Sequence, residues 1–235
     1  MTNNHGRIIR VLDLYCCGGG AARGYQLAGC HVTGVDIAPQ PRYRGDVFVR
    51  ADAIEYVLEH GHRFDFVHAS PPCQKHTTLN AYNHITTYPD LIAPTRDALT
   101  AVGRPWVIEN VPQAPLLDPT ILCGAMFGLR LYRHRAFETG PDWALRAPEH
   151  PAHVARCVRN GYLPTPERPF MSIHGGRHSR AWQHAACDAM RTPWLKATGD
   201  IPRAIREVSE AIPPAYTHWI ATRFLAAHTR EVIAA

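Results

Sequence analysis

Ile8-Ile9-Arg10-Val11-Leu12-Asp13-Leu14-Tyr15-Cys16-Cys17-Gly18-Gly19-Gly20-Ala21-Ala22-Arg23-Gly24-Tyr25-Gln26-Leu27 reads as a strand, a tight turn and a helix. Three glycines between strand and helix let the backbone approach a ligand closely. Such a turn is common to many doubly wound folds, so the strands after it carry more weight. The next strand, His31-Val32-Thr33-Gly34-Val35, ends at Asp36, and a third, Val47-Phe48-Val49, leads to Asp52. A helix over 53–60 precedes the apolar run Phe64-Asp65-Phe66-Val67-His68-Ala69. A helix over 94–102 precedes Pro105-Trp106-Val107-Ile108, which ends in Glu109. This alternation predicts an α/β fold with a mostly parallel, doubly wound sheet, whose ligands bind beyond the carboxyl ends of the strands.

Composition sets the broad class. The chain has 235 residues, 46% hydrophobic and 19% charged, within the range of one soluble α/β domain. No apolar run reaches membrane-spanning length, and Arg10 and Asp13 break the first one, so neither membrane span nor secretory signal is expected. Seven cysteines without regular spacing argue for reduced thiols and a cytoplasmic location. The net charge of +5 is concentrated. From 130 to 180 stand nine arginines (130, 133, 135, 146, 156, 159, 168, 177, 180) against four acids (138, 142, 149, 167), an excess equal to that of the whole chain. A basic segment on an otherwise neutral chain is the footprint of a polyanion, although charge alone fits a solvated face equally well.

Three consecutive strands end in a glycine turn, an acid and an acid. That order suits an adenosyl group, with ribose on Asp36 and the exocyclic amine on Asp52. A helix cap is the plainer role for Asp52, which stands directly before a helix. The pentapeptide Ser70-Pro71-Pro72-Cys73-Gln74 comes after a strand, so its thiol should project into the crevice on a mount stiffened by two prolines. An isolated cysteine is more often a small buried hydrophobe; Glu109 at the neighbouring strand's end favours chemistry. The polar stretch 75–89 reads as a lid, and the alternating Arg133 and Arg135 should point to one face. Residues 139–190 are rich in proline and lack periodicity, as an insertion would. His150, His153, Cys157, His174, His178, His184 and Cys187 lie there at irregular spacing with no Cys-x-x-Cys pair, so no metal is expected. A final helix from 215 carries the apolar stripe Trp219, Ile220, Phe224 and Leu225.

Together these motifs resemble the cytosine-C5 methyltransferases that use S-adenosylmethionine. Asp13 to Gly20 is similar to their cofactor motif, Ser70 to Gln74 to their nucleophile motif, Glu109-Asn110-Val111 to their glutamate motif, Arg133-His134-Arg135 to their arginine motif, and Ala211-Ile212-Pro213-Pro214 to the end of their last motif. The match covers about 1–138 and 205–225, in family order. Cys17 replaces a usual glycine, Leu131 a frequent glutamine, and Ser209-Glu210 a common Gly-Asn; 203–208 matches poorly.

The resemblance implies a Rossmann-like class I methyltransferase fold with a catalytic domain over 1–138, a short recognition insert over 139–200, and a return over 201–235. The insert is similar in size to those of compact phage-encoded members, which implies a short target sequence. Cys73, Glu109, Arg133 and Arg135 are then catalytic. S-adenosylmethionine is the cofactor, held by Asp13, Tyr15, Cys17, Gly18, Gly20, Asp36, Ile37, Asp52, Ala53 and Pro71. Double-stranded DNA is the partner of a monomer, with Gln74, Lys75, His76, Thr77, His174, Arg177, His178 and Arg180 as its contacts. A transfer-RNA-methylating branch carries a similar Pro-Pro-Cys-Gln motif. Its Cys-Phe-Thr element has no convincing counterpart here, which favours DNA; a catalytically silent homologue is the other alternative.

Overall fold

A computed structural model describes residues 8–73, 89–141, 143–158 and 161–234, with side chains through 227. Seven strands form the main sheet: β1 (Arg10–Leu14), β2 (His31–Asp36), β3 (Val47–Arg50), β4 (Phe66–Ala69), β5 (Trp106–Asn110), β6 (Thr120–Leu122) and β7 (Arg135–Gly140). Their order is β3-β2-β1-β4-β5-β7-β6. The first five run parallel, and β7 runs antiparallel between β5 and β6. Tyr15, Asp36, Ser70 and Asn110 therefore gather along one edge of the sheet.

Strands β1, β2, β4 and β5 are buried on both faces, which is why they read as apolar runs rather than alternations, while the edge strand β3 is partly exposed. Side chains on successive residues point to opposite faces. Val11, Val32, Phe66 and Val107 join one core, with α1 (Gly20–Leu27) and the last helix; Leu12, Leu14, Val67 and Ile108 join the other, with α2 (Ala53–His60) and α3 (Ile92–Val102). Helices on both faces make the sheet doubly wound. α1 lies tightly on the last helix, because a Cβ at Gly24 would collide with the Pro214 carbonyl.

The insert holds a two-stranded parallel sheet, β8 (Cys157–Val158) and β9 (Phe170–Met171), and then α4 (Arg180–Met190). The helix is a departure from the irregular reading of 139–190. Ser179 caps it, its Oγ accepting from the Trp182 N–H at 3.1 Å, and its apolar face buries Trp182, Ala186 and Met190. Leu145, Val158, Met171 and Trp182 enter the same core as Phe66 and Val107, so the insert has no core of its own. α5 (Ile201–Glu210) starts at an Asp200 cap with Pro202 in its first turn, and α6 (Pro214–Ala234) closes the chain. On α6, Phe224 meets Phe66 of β4 with ring centroids 4.5 Å apart, as the stripe predicts.

Candidate functional site

A cavity of about 390 Å³ opens beyond the carboxyl ends of β1, β2, β4 and β5. Asp13, Tyr15, Cys17, Gly20, Asp36, Ile37, Asp52 and Ala53 line one part; Pro71, Cys73, Glu109 and Arg135 line the other. The fold thus brings residues from four separated motifs to one space.

The turn after β1 is shaped by three residues in the left-handed region, Tyr15 (φ 58°), Cys17 (φ 44°) and Gly19 (φ 77°). A side chain at Gly19 would be strained, and its Cβ would also crowd the Arg44 backbone. The Cys17 N–H donates to Asp36 Oδ2 at 3.1 Å and the Ala38 N–H to Oδ1 at 2.9 Å, which fixes the acid at the rim. Asp52 is the N-cap of α2, accepting from Ile54 and Glu55 on Oδ1 alone, so its second oxygen is spare for the cavity. The Tyr15 hydroxyl bonds Thr95 Oγ1 at 2.8 Å and anchors its ring at the wall.

Gly18 does not line the cavity. A Cβ there would lie 2.6 Å from Leu195, and its carbonyl accepts from Trp194 Nε1 at 2.9 Å. Its lack of side chain serves packing against the 193–195 turn, and a cofactor contact by this residue is not part of the cavity geometry.

Asp13 tests whether S-adenosylmethionine, implied by the resemblance, suits these residues. Its side chain is buried, and neither oxygen has a well-formed hydrogen bond among the described residues; the Ala22 N–H is turned toward it. Burial, with Asp36 nearby, pushes its carboxyl well above the ordinary carboxylate range. An unpaired buried acid on a cavity floor lacks a cationic donor. An amino-acid ammonium beside an adenosyl group supplies one, so the residues fit.

At the other end, Arg135 Nε lies 2.9 Å from Glu109 Oε1, with both side chains largely buried. Burial raises the Glu109 carboxyl, against the opposing charges of Arg135 and Arg133 and a Ser70 hydrogen bond. The Cys73 thiol is also raised, first by burial and then by Glu109, while Arg135 and Arg133 act to lower it. The Asn110 side chain donates to the Pro71 carbonyl at 2.9 Å and accepts from the Val111 N–H at 2.9 Å, tying the Cys73 segment to the end of β5.

Arg133 and Arg135 do not share a face. β7 starts at Arg135, so strand alternation does not extend back to Arg133. Arg133 donates to the Ser209 carbonyl at 2.6 Å and the Ile173 carbonyl at 3.2 Å, and does not line the cavity. Burial and Arg135 push its guanidinium down to about 9, still a cation at neutral pH. It braces the insert and the end of α5 against the Arg135 segment and biases Cys73 through its charge.

Sequence reasoning passed over a buried chain behind Glu109. Tyr25 Oη lies 2.9 Å from His68 Nδ1, and His68 Nε2 lies 2.9 Å from Ser70 Oγ, which bonds Glu109. Burial pushes His68 down to about 3, so it is neutral and spans two hydroxyls. The single histidine within a strand gave no sign of this. Arg206 and Glu210 also line the cavity, from a segment that matched the family poorly. Burial raises the Glu210 carboxyl, and Arg206 opposes the shift.

Gln74, Lys75, His76 and Thr77, and the lid expected over 75–89 except for its last residue, lie outside the described residues. His178 stacks on Trp182 with centroids 3.8 Å apart and contacts the His174 carbonyl at 3.3 Å, while that carbonyl also accepts from Ser209 Oγ. These two histidines therefore hold the insert together. Arg177 and Arg180 are exposed.

No protein-family model matches the chain, and no curated protein matches it either. Solved structures do. S. pombe Dnmt2 methyltransferase superposes with TM-score 0.59 at 14% identity, over 91% of this chain and 98% of that one. An E. coli prophage protein described as a candidate DNA modification methyltransferase gives TM-score 0.61 at 13% identity, over 91% and 97%. Spodoptera frugiperda DNMT2 gives 0.61 at 12%, over 92% and 99%. At such identities the likeness shows the fold, an α/β class I S-adenosylmethionine-dependent methyltransferase fold.

Proposed function

We propose that this protein transfers a methyl group from S-adenosylmethionine to C5 of cytosine in DNA. The observation that carries the reading is the convergence of Cys73, Glu109 and Arg135 on one wall of a cavity whose other part holds Asp13, Asp36 and Asp52. Asp13 would hold the donor's ammonium, Asp36 the ribose and Asp52 the adenine amine. The donor's chemistry is one electrophilic methyl group on a sulfonium.

Cytosine C5 is a poor nucleophile until C6 carries an added thiolate. Cys73 forms the S–C6 bond, and the C5–C6 π electrons become available at C5. Glu109, whose raised carboxyl holds a proton more readily, donates it toward N3 and limits negative charge on the ring. Arg135 supplies a fixed cation beside Glu109 to receive charge at O2. Once C5 bears the methyl, water takes the C5 proton, the S–C6 bond breaks with its electrons returning to Cys73 as thiolate, and the N3 proton goes back to Glu109. C6 of a stacked base is out of reach, so the cytosine must leave the duplex, at a cost of a few kcal/mol. The basic insert supports DNA as the polyanion, and its size supports a short target sequence.

The test is a 5-fluorocytosine duplex with S-adenosylmethionine, run beside the matching RNA. A covalent adduct on a denaturing gel is expected with DNA and not with Cys73→Ser. Adduct on RNA alone would transfer the reading to RNA. Absence of any adduct while unmodified DNA is methylated would refute the Cys73 route.

A further inference from the structure

Cys123, His134, His150 and His153 come together outside the cavity, although they lie on three separate segments. Cys123 stands just after β6, His134 just before β7, and His150 and His153 belong to the insert. One ligand atom from each lies within 4.8 Å of all the others. His134 Nε2 is 3.2 Å from His150 Nε2, and Cys123 Sγ is 3.4 Å from His153 Nε2. Zinc bonds of about 2.0–2.3 Å at tetrahedral angles set ligand atoms about 3.3–3.6 Å apart, so two of these separations already have the required size.

We propose that these four side chains form a structural zinc site. The groups behind them are arranged as such a site needs. His150 Nδ1 contacts the Pro151 carbonyl at 2.9 Å; that oxygen can only accept, so the hydrogen is on Nδ1 and Nε2 presents its lone pair to the cluster. The Gly124 and Ala125 N–H groups point at the Cys123 sulfur and fix its position at the cluster. Tyr132 stacks on the His153 ring with centroids 3.8 Å apart, and its hydroxyl donates to the Ala155 carbonyl at 3.0 Å, which sets the ring's direction. Separate hydrogen bonds would satisfy the two close pairs, but would not draw all four atoms to one centre. One thiolate and three imidazoles suit zinc, and four protein ligands leave no open position for catalysis.

Sequence spacing concealed the site. His150-x-x-His153 is a usable half, yet Cys123 and His134 lie outside the insert, and Cys157, His174, His178, His184 and Cys187 do not join it. The ion would bind the insert to the segment carrying Arg133 and Arg135, since His134 stands between them. This inference is independent of the proposed methyl transfer.

Untagged full-length protein, purified without chelators from zinc-supplemented cells, should carry about one zinc per chain by plasma mass spectrometry. Cobalt(II) added to chelator-stripped protein should give tetrahedral d–d bands with a sulfur-to-cobalt charge-transfer band. Cys123→Ser should remove the charge-transfer band, and His150→Gln, an exposed position chosen in case the first variant misfolds, should lower zinc content more than tenfold. Cys157→Ser should leave zinc content unchanged. Wild-type protein with less than a tenth of a zinc per chain and no cobalt spectrum would overturn the site. So would full occupancy in His150→Gln, or loss of zinc in a folded Cys157→Ser.

Discussion

Replacing Arg135 by alanine should make stability depend steeply on pH. Arg135 Nε and Glu109 Oε1 are 2.9 Å apart, with side-chain exposures of 14% and 6%. At an effective dielectric of about 20, that separation corresponds to a gross attraction of about 6 kcal/mol. Desolvation offsets much of it, but removing one partner of a buried pair still costs about 3–5 kcal/mol, because the other charge is stranded. Glu109 escapes by taking up a proton. Its carboxyl in the folded protein already lies above the ordinary value through burial, and Arg135 is the largest influence opposing that rise. Without Arg135 it rises further, and the folded state then binds more protons than the unfolded chain. Stability contributed by such a group is present at low pH and falls as pH climbs through the folded-state value. The variant should therefore lose about 1 kcal/mol at pH 5, where Glu109 is protonated and only the Arg135 hydrogen bond to the His134 carbonyl is missing. At pH 8 it should lose about 3–5 kcal/mol. Urea unfolding of both proteins at pH 5, 6.5 and 8 measures this directly. The double variant Arg135→Ala, Glu109→Gln should recover most of the loss at pH 8. A deficit independent of pH, or one the double variant leaves intact, would show that Glu109 is not a stranded charge and would refute the reasoning.

At the cofactor end, Asp13→Asn should weaken S-adenosylmethionine binding at least tenfold by calorimetry, since the ammonium would meet a neutral amide in place of the buried acid whose oxygens are otherwise unpaired; an unchanged Kd would remove Asp13 from that role. Iodoacetamide labelling of Cys73, read by peptide mass, should speed up as pH rises and be slower at pH 7 than for an exposed cysteine. Glu109→Gln should accelerate that labelling and Arg135→Ala retard it, because their charges act on the thiol in opposite directions; equal rates in all three proteins would contradict the coupling. Arg177→Ala with Arg180→Ala should flatten the salt dependence of duplex DNA binding by a slope of about 1–2. Identical salt slopes would move the phosphate contacts elsewhere.

Much of the layout is legible because strand, glycine turn and helix repeat at close spacing. Buried parallel strands announce themselves as apolar runs, and a residue at a strand's end is placed by chain order alone. That is why Asp36, Cys73 and Glu109 can be assigned to one crevice from the sequence. Helix α4 escapes such a reading because prolines and Gly175-Gly176 before it mask a short amphipathic stretch with a serine cap. Arg133 is misplaced by it because strand alternation does not reach so far back: the chain is not yet in β7 there, and its guanidinium finds two carbonyls instead.

By itself the sequence determined the doubly wound class and the end of the sheet at which the cavity opens, because each depends on local period or on position along a strand. Only the tertiary structure decided what depends on convergence from distant segments. Gly18 turned out to serve Leu195 and the 193–195 turn, Arg206 and Glu210 joined the cavity, and His68 linked Tyr25 to Ser70 behind Glu109. The meeting of Cys123 and His134 with His150 and His153 belongs there too. Spacing along a chain carries no information about such contacts once the intervening residues fold back, and burial, which raises the Glu109 carboxyl and the Cys73 thiol, exists only after they do.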